Sequence, residues 1–381
     1  MANLMYYTVA GISGLLYGFG EGYLKLAFLI LFALLGVAHK SNFLQVLRVT
    51  LVFYGVACIP LFILITDFTT SKVNPLVGYL VAWLVCSVLT ALFFAKERTF
   101  LVTVATVMGF LFLFLLPPLD IITFMSPLWM AGLLFPGTGY VGLLFLVLLI
   151  ASLLNLPKFH GQVLSQATLA AALVGNAIFL VFLPMKVESA IDGVSTARDN
   201  EISNAMPFVV FQRSRDFVAA EQSSAEVVIF PENAFGEWTD VGVRSYSNLD
   251  NKTLLAGAFV QDDARQQYVI GDFTNGSVIY RQRRPLPNMI RPGRWDSVNT
   301  EEYGPSIVNL SGKRMAFFIC WESLSPVTVI ESLKNKPDVM VMIANTDWTH
   351  SLLAGDAMII HIKSWSRLFS VPIVTAVNSH A

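Results

Sequence analysis

Met315-Ala316-Phe317-Phe318-Ile319-Cys320-Trp321-Glu322 sets five apolar residues directly before a cysteine, an aromatic residue and an acid. A short unbroken apolar run rich in Phe and Ile reads as a strand buried on both faces. A cysteine at its end stands at the rim of a sheet, where α/β folds present reactive groups. Two readings of Cys320 follow from this stretch alone. It is a nucleophile, or it is a small buried hydrophobe, as free cysteine commonly is.

Working outward, Ala225-Glu226-Val227-Val228-Ile229-Phe230 is a second short strand, stopped by Pro231, which has no N–H to give the ladder. Glu232 is thereby delivered at a strand end, either as a functional acid or as a cap on the turn. Leu254 to Val260 reads as a strand, and Tyr268-Val269-Ile270 with Val278-Ile279-Tyr280 flank Asn275-Gly276 as a hairpin. Val339 to Ile343 and Ile373 to Val377 are further strands, with helices over 201–221 and near 356–369. Strands alternating with helices, plus a hairpin, give a mixed-sheet α/β domain.

The remainder of the chain has a different composition. Of 381 residues 55% are hydrophobic and 13% charged, about half the charge usual for a soluble protein. The deficit is local: residues 1–185 carry seven Lys/Arg and four Asp/Glu, and the other 18 and 22 fall in 186–381. Two domains follow, a transmembrane domain over 1–185 and a water-soluble one over 186–381. Apolar segments near 4–19, 24–38, 47–66, 76–95, 99–117, 138–155 and 165–184 predict about seven spans. The first is short and rich in glycine, and no small-residue cleavage site follows it.

With the N-terminus inside, inner loops hold Lys40, Arg48, Lys96, Arg98 and Lys158, and outer loops only Lys25 and Lys72. That bias follows the positive-inside rule and puts 186–381 outside the cytoplasm. The apolar stretch 121–135 then lies on the same side, either as an interfacial segment that presents lipid or as a loop filling a gap between helices. Few ionisable residues occur in the spans, which argues against a transporter.

Cys320 is the only cysteine of the soluble half, so no disulfide framework exists there. The sequence contains no Gly-rich phosphate loop, no HExxH and no paired Cys, and its histidines lack metal-ligand spacing; no cofactor and no metal are expected. A net charge of −1 gives no reason for direct nucleic-acid binding.

The order Phe230-Pro231-Glu232, Tyr280-Arg281-Gln282, Ile319-Cys320-Trp321-Glu322 resembles the Glu…Lys…Cys series of the nitrilase (carbon–nitrogen hydrolase) superfamily. A multi-span N-terminal half before such a domain is similar to apolipoprotein N-acyltransferase. Gln282-Arg283-Arg284-Pro285-Leu286-Pro287 and Asn345-Thr346-Asp347-Trp348-Thr349 resemble TraB-type conjugal transfer proteins more closely. The resemblance implies an αββα sandwich, shortened at its C-terminal end, outside a bacterial inner membrane and in the periplasm. It makes Glu232 the general base, Cys320 the nucleophile, attacking as thiolate, and Glu322 a nearby acid, with Trp321 and Asn345 as supporting residues. The lysine of the series falls on Gln282. Arg283 is the nearest cation and is the expected oxyanion donor. On an extended chain Gln282 and Arg283 face opposite ways, so both cannot enter the site unless the backbone breaks.

Two functions remain in competition. One is an enzyme, an acyltransferase or amidase, that acts through a thioester on Cys320 on the acyl groups of a phospholipid or a lipidated protein at the outer face of the inner membrane. The other is a non-catalytic membrane component that meets conjugation-machinery proteins and uses the fold as a scaffold; the absence of the lysine favours it.

Overall fold

In the computed structural model the strand ahead of Cys320 runs Lys313–Ile319, with Met315 to Ile319 wholly buried. The structure describes residues 2–38, 43–67, 74–96, 98–116, 125–182, 190–197, 218–239, 252–262, 265–284, 306–347, 349 and 353–379. The chain divides into two units, residues 1–184 with 367–370, and residues 185–366 with 371–381.

The first unit is helical: α1 (Ala2–Phe19), α2 (Phe28–Ala38), α3 (Phe43–Ala57), α4 (Ile59–Asp67), α5 (Pro75–Phe94), α6 (Phe100–Leu113), α7 (Met130–Leu134), α8 (Tyr140–Leu154) and α9 (Phe159–Phe182). Among the described residues three helical stretches, Phe43–Asp67, Pro75–Phe94 and Gly161–Phe179, are long and apolar enough to cross a membrane, and four apolar ones are shorter.

The glycines of α1 have a packing role. A Cβ on Gly14 would overlap the Phe53 carbonyl, and one on Gly18 would meet the Ala57 carbonyl at 3.0 Å. Small residues at helical spacing let α1 lie backbone-to-backbone on α3. Polar groups then join α3 to α5. Thr50 Oγ1 donates to the Ser87 carbonyl at 3.0 Å, Trp83 Nε1 to the Leu51 carbonyl at 2.8 Å, and Tyr79 to the Gly55 carbonyl at 2.7 Å. Of the apolar stretch 121–135, residues 121–124 lie outside the described residues. Met125 to Phe135 is buried, with α7 packed on α8 and α9, so this part fills space between helices.

The second unit holds two five-stranded sheets. The first has the order β1 (Ile191–Gly193), β3 (Val227–Phe230), β4 (Thr253–Asp262), β5 (Arg265–Asp272), β6 (Ser277–Arg281). The second has the order β2 (Thr196–Ala197), β10 (Ile373–Ser379), β9 (Val339–Asn345), β8 (Lys313–Ile319), β7 (Val308–Leu310). Strands β1, β3 and β4, and β2, β10, β9 and β8, run parallel. Parallel strands covered on both faces need continuous apolar sequence, which is why β3, β8 and β9 were legible as unbroken runs. The sheets meet at β1 and β10, where a Cβ on Gly193 would overlap the Thr375 carbonyl.

Strand β5 extends beyond the apolar core read from sequence, with Arg265, Gln266 and Gln267 paired to Asp262, Gln261 and Val260 of β4, before it forms the Asn275-Gly276 hairpin with β6. Gly276 takes its turn with φ +71°. The late helix is α11 (Leu353–Phe369); α10 (Pro326–Lys334) and the short β1, β2 and β7 had no pattern long enough to read. Of the helix expected over 201–221, residues 201–217 lie outside the described residues, and 218–221 are helical.

Candidate active site

Three strand ends converge. Cys320 follows β8, Asn345 ends β9, and Glu232 stands two residues past β3 in the facing sheet. All are carboxyl ends of parallel strands, where open α/β sheets carry their sites.

Cys320 has φ +53°, a left-handed conformation that a non-glycine residue adopts at a cost. It opens a single 3₁₀ turn, Cys320–Leu324, which Ser323 Oγ closes onto the Cys320 carbonyl at 2.7 Å. The sulfur hydrogen-bonds with the Glu232 carboxyl and receives backbone N–H groups from Trp321 and Asn345. It is 7% exposed.

Glu232 is 6% exposed, and its Oε2 accepts the Asn345 N–H at 2.9 Å. The turn carrying it lies so close to β4 that a Cβ on Gly257 would overlap the Glu232 Cα. Burial pushes the Glu232 carboxyl up to about 7, against the hydrogen bonds from Asn345 and Cys320, with nearby Glu322 adding to the rise. Burial first, then the charge of Glu232, raises the Cys320 thiol. The thiol is thus held neutral against an acid that titrates near neutrality. Such a pair suits proton transfer during attack.

Glu322 is fully buried beside them. Its carboxylate accepts the N–H groups of Ile319 at 2.9 Å, Arg283 at 2.6 Å and Arg284 at 3.1 Å, and the Tyr280 hydroxyl at 2.8 Å. These bonds draw the chain leaving β6 onto the cysteine turn. Gln282 still pairs with β5, its N–H on the Tyr268 carbonyl at 2.9 Å, and its side-chain amide donates to the Ile319 carbonyl at 3.3 Å.

Arg283 requires a correction. Its guanidinium donates to the Tyr280 hydroxyl at 3.1 Å and to Ser332 Oγ at 2.7 Å, and lies 3.4 Å from Glu331. Capture of the 283 and 284 N–H groups by Glu322 turns the backbone, and the cation is spent on α10 rather than on an oxyanion beside Cys320. Gln282, a neutral amide, is the member of that pair next to the cysteine turn.

Sequence reading named Glu232, Cys320, Glu322, Trp321, Gln282 and Asn345, which the structure brings together. It missed that Trp321 and Asn345 act through backbone N–H groups, which residue type cannot signal. It also missed Tyr280 and Tyr268. Tyr268 is half-buried near the pair: burial raises its hydroxyl, and the charges of Glu232 and Cys320 add to the effect. The two-residue alternation from Tyr280 to Gln282 was the available signal for Tyr280.

A buried thiol–carboxyl pair bridging two sheets defines a thiol-centred α/β site. The sequence relatives are conjugal transfer proteins. The chain is 27% identical over 279 residues to a probable conjugal transfer protein TraB of Sinorhizobium fredii, covering 69% of this chain and 70% of that protein. It is 27% identical over 284 residues to the conjugal transfer protein TraB of Agrobacterium fabrum, covering 69% of this chain and 64% of that one. No family model matches. Solved structures that overlay on the chain belong to the nitrilase superfamily. One is an amidase from Nesterenkonia sp. (TM-score 0.35, 10% identity, 49% of this chain and 74% of the amidase). Another is Nit3 of Saccharomyces cerevisiae (TM-score 0.36, 12% identity, 49% and 74%).

Proposed function

We propose that residues 186–381 form a nitrilase-type αββα domain in which Cys320 and Glu232 carry out acyl transfer, in the setting of a TraB-type conjugal transfer system. The observation that carries this reading is the Cys320 sulfur hydrogen-bonded to a buried Glu232 that titrates at about 7. As the sulfur attacks an ester carbonyl, the Glu232 carboxylate takes the thiol proton. The tetrahedral intermediate collapses with loss of the alcohol, which receives that proton, and a thioester remains. An amine or water, deprotonated by Glu232, then releases the acyl group. In this reading the Trp321 N–H, which meets the sulfur, and the Gln282 amide, bonded to the Ile319 carbonyl, serve as donors to the developing oxyanion.

Residues 1–185 act in this reading as an inner-membrane domain of about seven spans that holds the α/β domain in the periplasm. Apolar side chains facing outward, such as Leu101 at 79% and Leu173 at 74% exposed, support it, because in lipid they meet an apolar solvent. Membrane phospholipid is then the nearest acyl donor. Intact-protein mass spectrometry after incubation with phospholipid vesicles tests this. Wild type is expected to gain one acyl mass and Cys320→Ala none; an unmodified wild type with every lipid offered would overturn the acyl-transfer reading.

A second reading keeps the fold and drops the chemistry: a membrane component that meets conjugation proteins through this domain. Neutral Gln282 at the lysine position favours it. Gln282→Lys separates the two. An enzyme limited by a weak oxyanion donor gains acylation rate, about tenfold or more, whereas a scaffold acylates in neither form and conjugates normally with Cys320→Ala.

A further inference from the structure

Arg283 takes no part in the chemistry above, yet it is 7% exposed and each of its three guanidinium nitrogens has a partner. Its Nε reaches the Tyr280 hydroxyl at 3.1 Å, and that hydroxyl donates onward to Glu322 at 2.8 Å. One phenol oxygen therefore joins the cation to the buried carboxylate.

The four hydrogen-bond partners of the Glu322 carboxylate are all donors: three backbone N–H groups and the Tyr280 hydroxyl. A protonated carboxyl would aim its own hydrogen at one of them, so this arrangement is satisfied only by the carboxylate. A buried carboxylate in turn needs a compensating charge. The titratable groups around Glu322 are Tyr280 and Arg283 from the β6 side, Cys320 on its own turn, Glu232 from the facing sheet, and Glu331 on α10 beyond Arg283. Arg284 lends Glu322 its backbone N–H, and among the described residues the cationic charge that acts on Glu322 is that of Arg283.

We infer that Arg283 is a positioning residue: through Tyr280 it keeps Glu322 ionised, and ionised Glu322 ties Ile319 and the 283–284 backbone around Cys320 in its left-handed conformation. Burial raises the Glu322 carboxyl and the charge of Arg283 opposes that rise, so without the cation Glu322 takes up its proton at a higher pH than in the parent and at least one of the four bonds is lost. The turn at Cys320 relaxes and the thiol leaves Glu232. At alkaline pH Glu322 ionises again and the turn re-forms. The catalytic weight of this inference rests on the reading of Cys320 as nucleophile. Its test does not, because it follows the thiol itself.

The experiment uses the full chain in detergent micelles with Cys58→Ala and Cys86→Ala, leaving Cys320 as the only thiol. Alkylation by iodoacetamide is followed by intact mass across the neutral to alkaline range. Arg283→Met is expected to react about tenfold more slowly than its parent near neutrality, and to come within about twofold in alkali, since one pKa unit is a tenfold change in population. Arg283→Lys, which keeps the charge, stays close to the parent throughout. Adding Glu322→Gln to Arg283→Met abolishes the alkaline recovery. A loss of equal size at every pH, or no loss, would overturn the inference. If Arg283→Met does not fold, Tyr280→Phe breaks the relay while keeping the cation and is expected to show the same alkaline recovery; a parental profile there also overturns it. A failed acyl-mass experiment beside a positive result here removes the acyl-transfer reading and leaves the positioning role of Arg283.

Discussion

Leu101, Leu173 and Leu4 of the helical unit are 79%, 74% and 72% exposed, whereas Met315 to Ile319 and Val339 to Ile343 of the α/β unit are wholly buried. The polar groups are distributed the other way. Among the described residues, the buried polar side chains joining α3 to α5 include hydroxyls such as Thr50, Ser87 and Thr90, bonded to carbonyls or to a Tyr hydroxyl. The α/β unit buries Glu232, Glu322 and Arg283 together near one thiol. Burying carboxyls is costly unless hydrogen bonds and charge compensate it. The contrast teaches that apolar content alone says little; what matters is the solvent each unit faces and where ionisable groups are tolerated inside.

The comparison breaks first at Glu232. If the proposed acyl transfer holds, Glu232→Gln removes its proton acceptor and is expected to slow acylation of Cys320 at neutral pH by roughly 100- to 10,000-fold, the range for a general base. Mass spectrometry at timed intervals reads the rate. A change of only a few-fold would mean that the buried acid has no part in the chemistry.

The exterior of the helical unit gives the next test. A lysine at Leu173 is expected to cost about 2.5–3.5 kcal/mol of membrane insertion if α9 crosses near the bilayer centre. The fraction integrated in a translocation assay measures it. Full integration of Leu173→Lys would count against the proposed membrane crossing of α9.

The pH dependence of stability follows from the raised Glu232 carboxyl. Its ordinary value is 4.5 and its folded value about 7, so between these the unfolded chain releases a proton that the folded chain keeps. The folded state is therefore favoured less as pH rises from 4.5 through 7, by up to about 3 kcal/mol. Glu232→Gln is expected to melt higher than wild type above pH 7, with the gain gone below about pH 4.5. Thermal melts of the detergent-solubilised chain at the two ends of that range decide it, and equal melting at high pH would mean the carboxyl is not held as a strained acid.

The smallest effect belongs to the helix hydroxyls. Thr50→Val, which loses the bond to the Ser87 carbonyl, is expected to cost about 0.6 kcal/mol, typical for a hydrogen bond between membrane helices. Denaturation of the bundle in detergent reads it. A cost of several kcal/mol would make the interior of the helical unit as dependent on polar groups as the α/β site.

The sequence alone located the cysteine at the end of β8, the glutamate beyond β3, the inner strands and the apolar helices. Each rests on local physics: a strand buried on both faces needs an unbroken apolar run, and proline ends a ladder wherever the chain goes next. Tertiary structure decided which of Gln282 and Arg283 lies beside the thiol. Alternation said only that the two neighbours face apart. The choice was made by Glu322, which holds the Arg283 N–H across 39 residues of sequence, and by Ser332, 49 residues from the guanidinium it binds. The Asn345 N–H on Glu232 spans 113 residues, and burial of that carboxyl between two sheets sets its affinity for a proton. Backbone donors and burial belong to no residue type, so they exist only once distant strands have met.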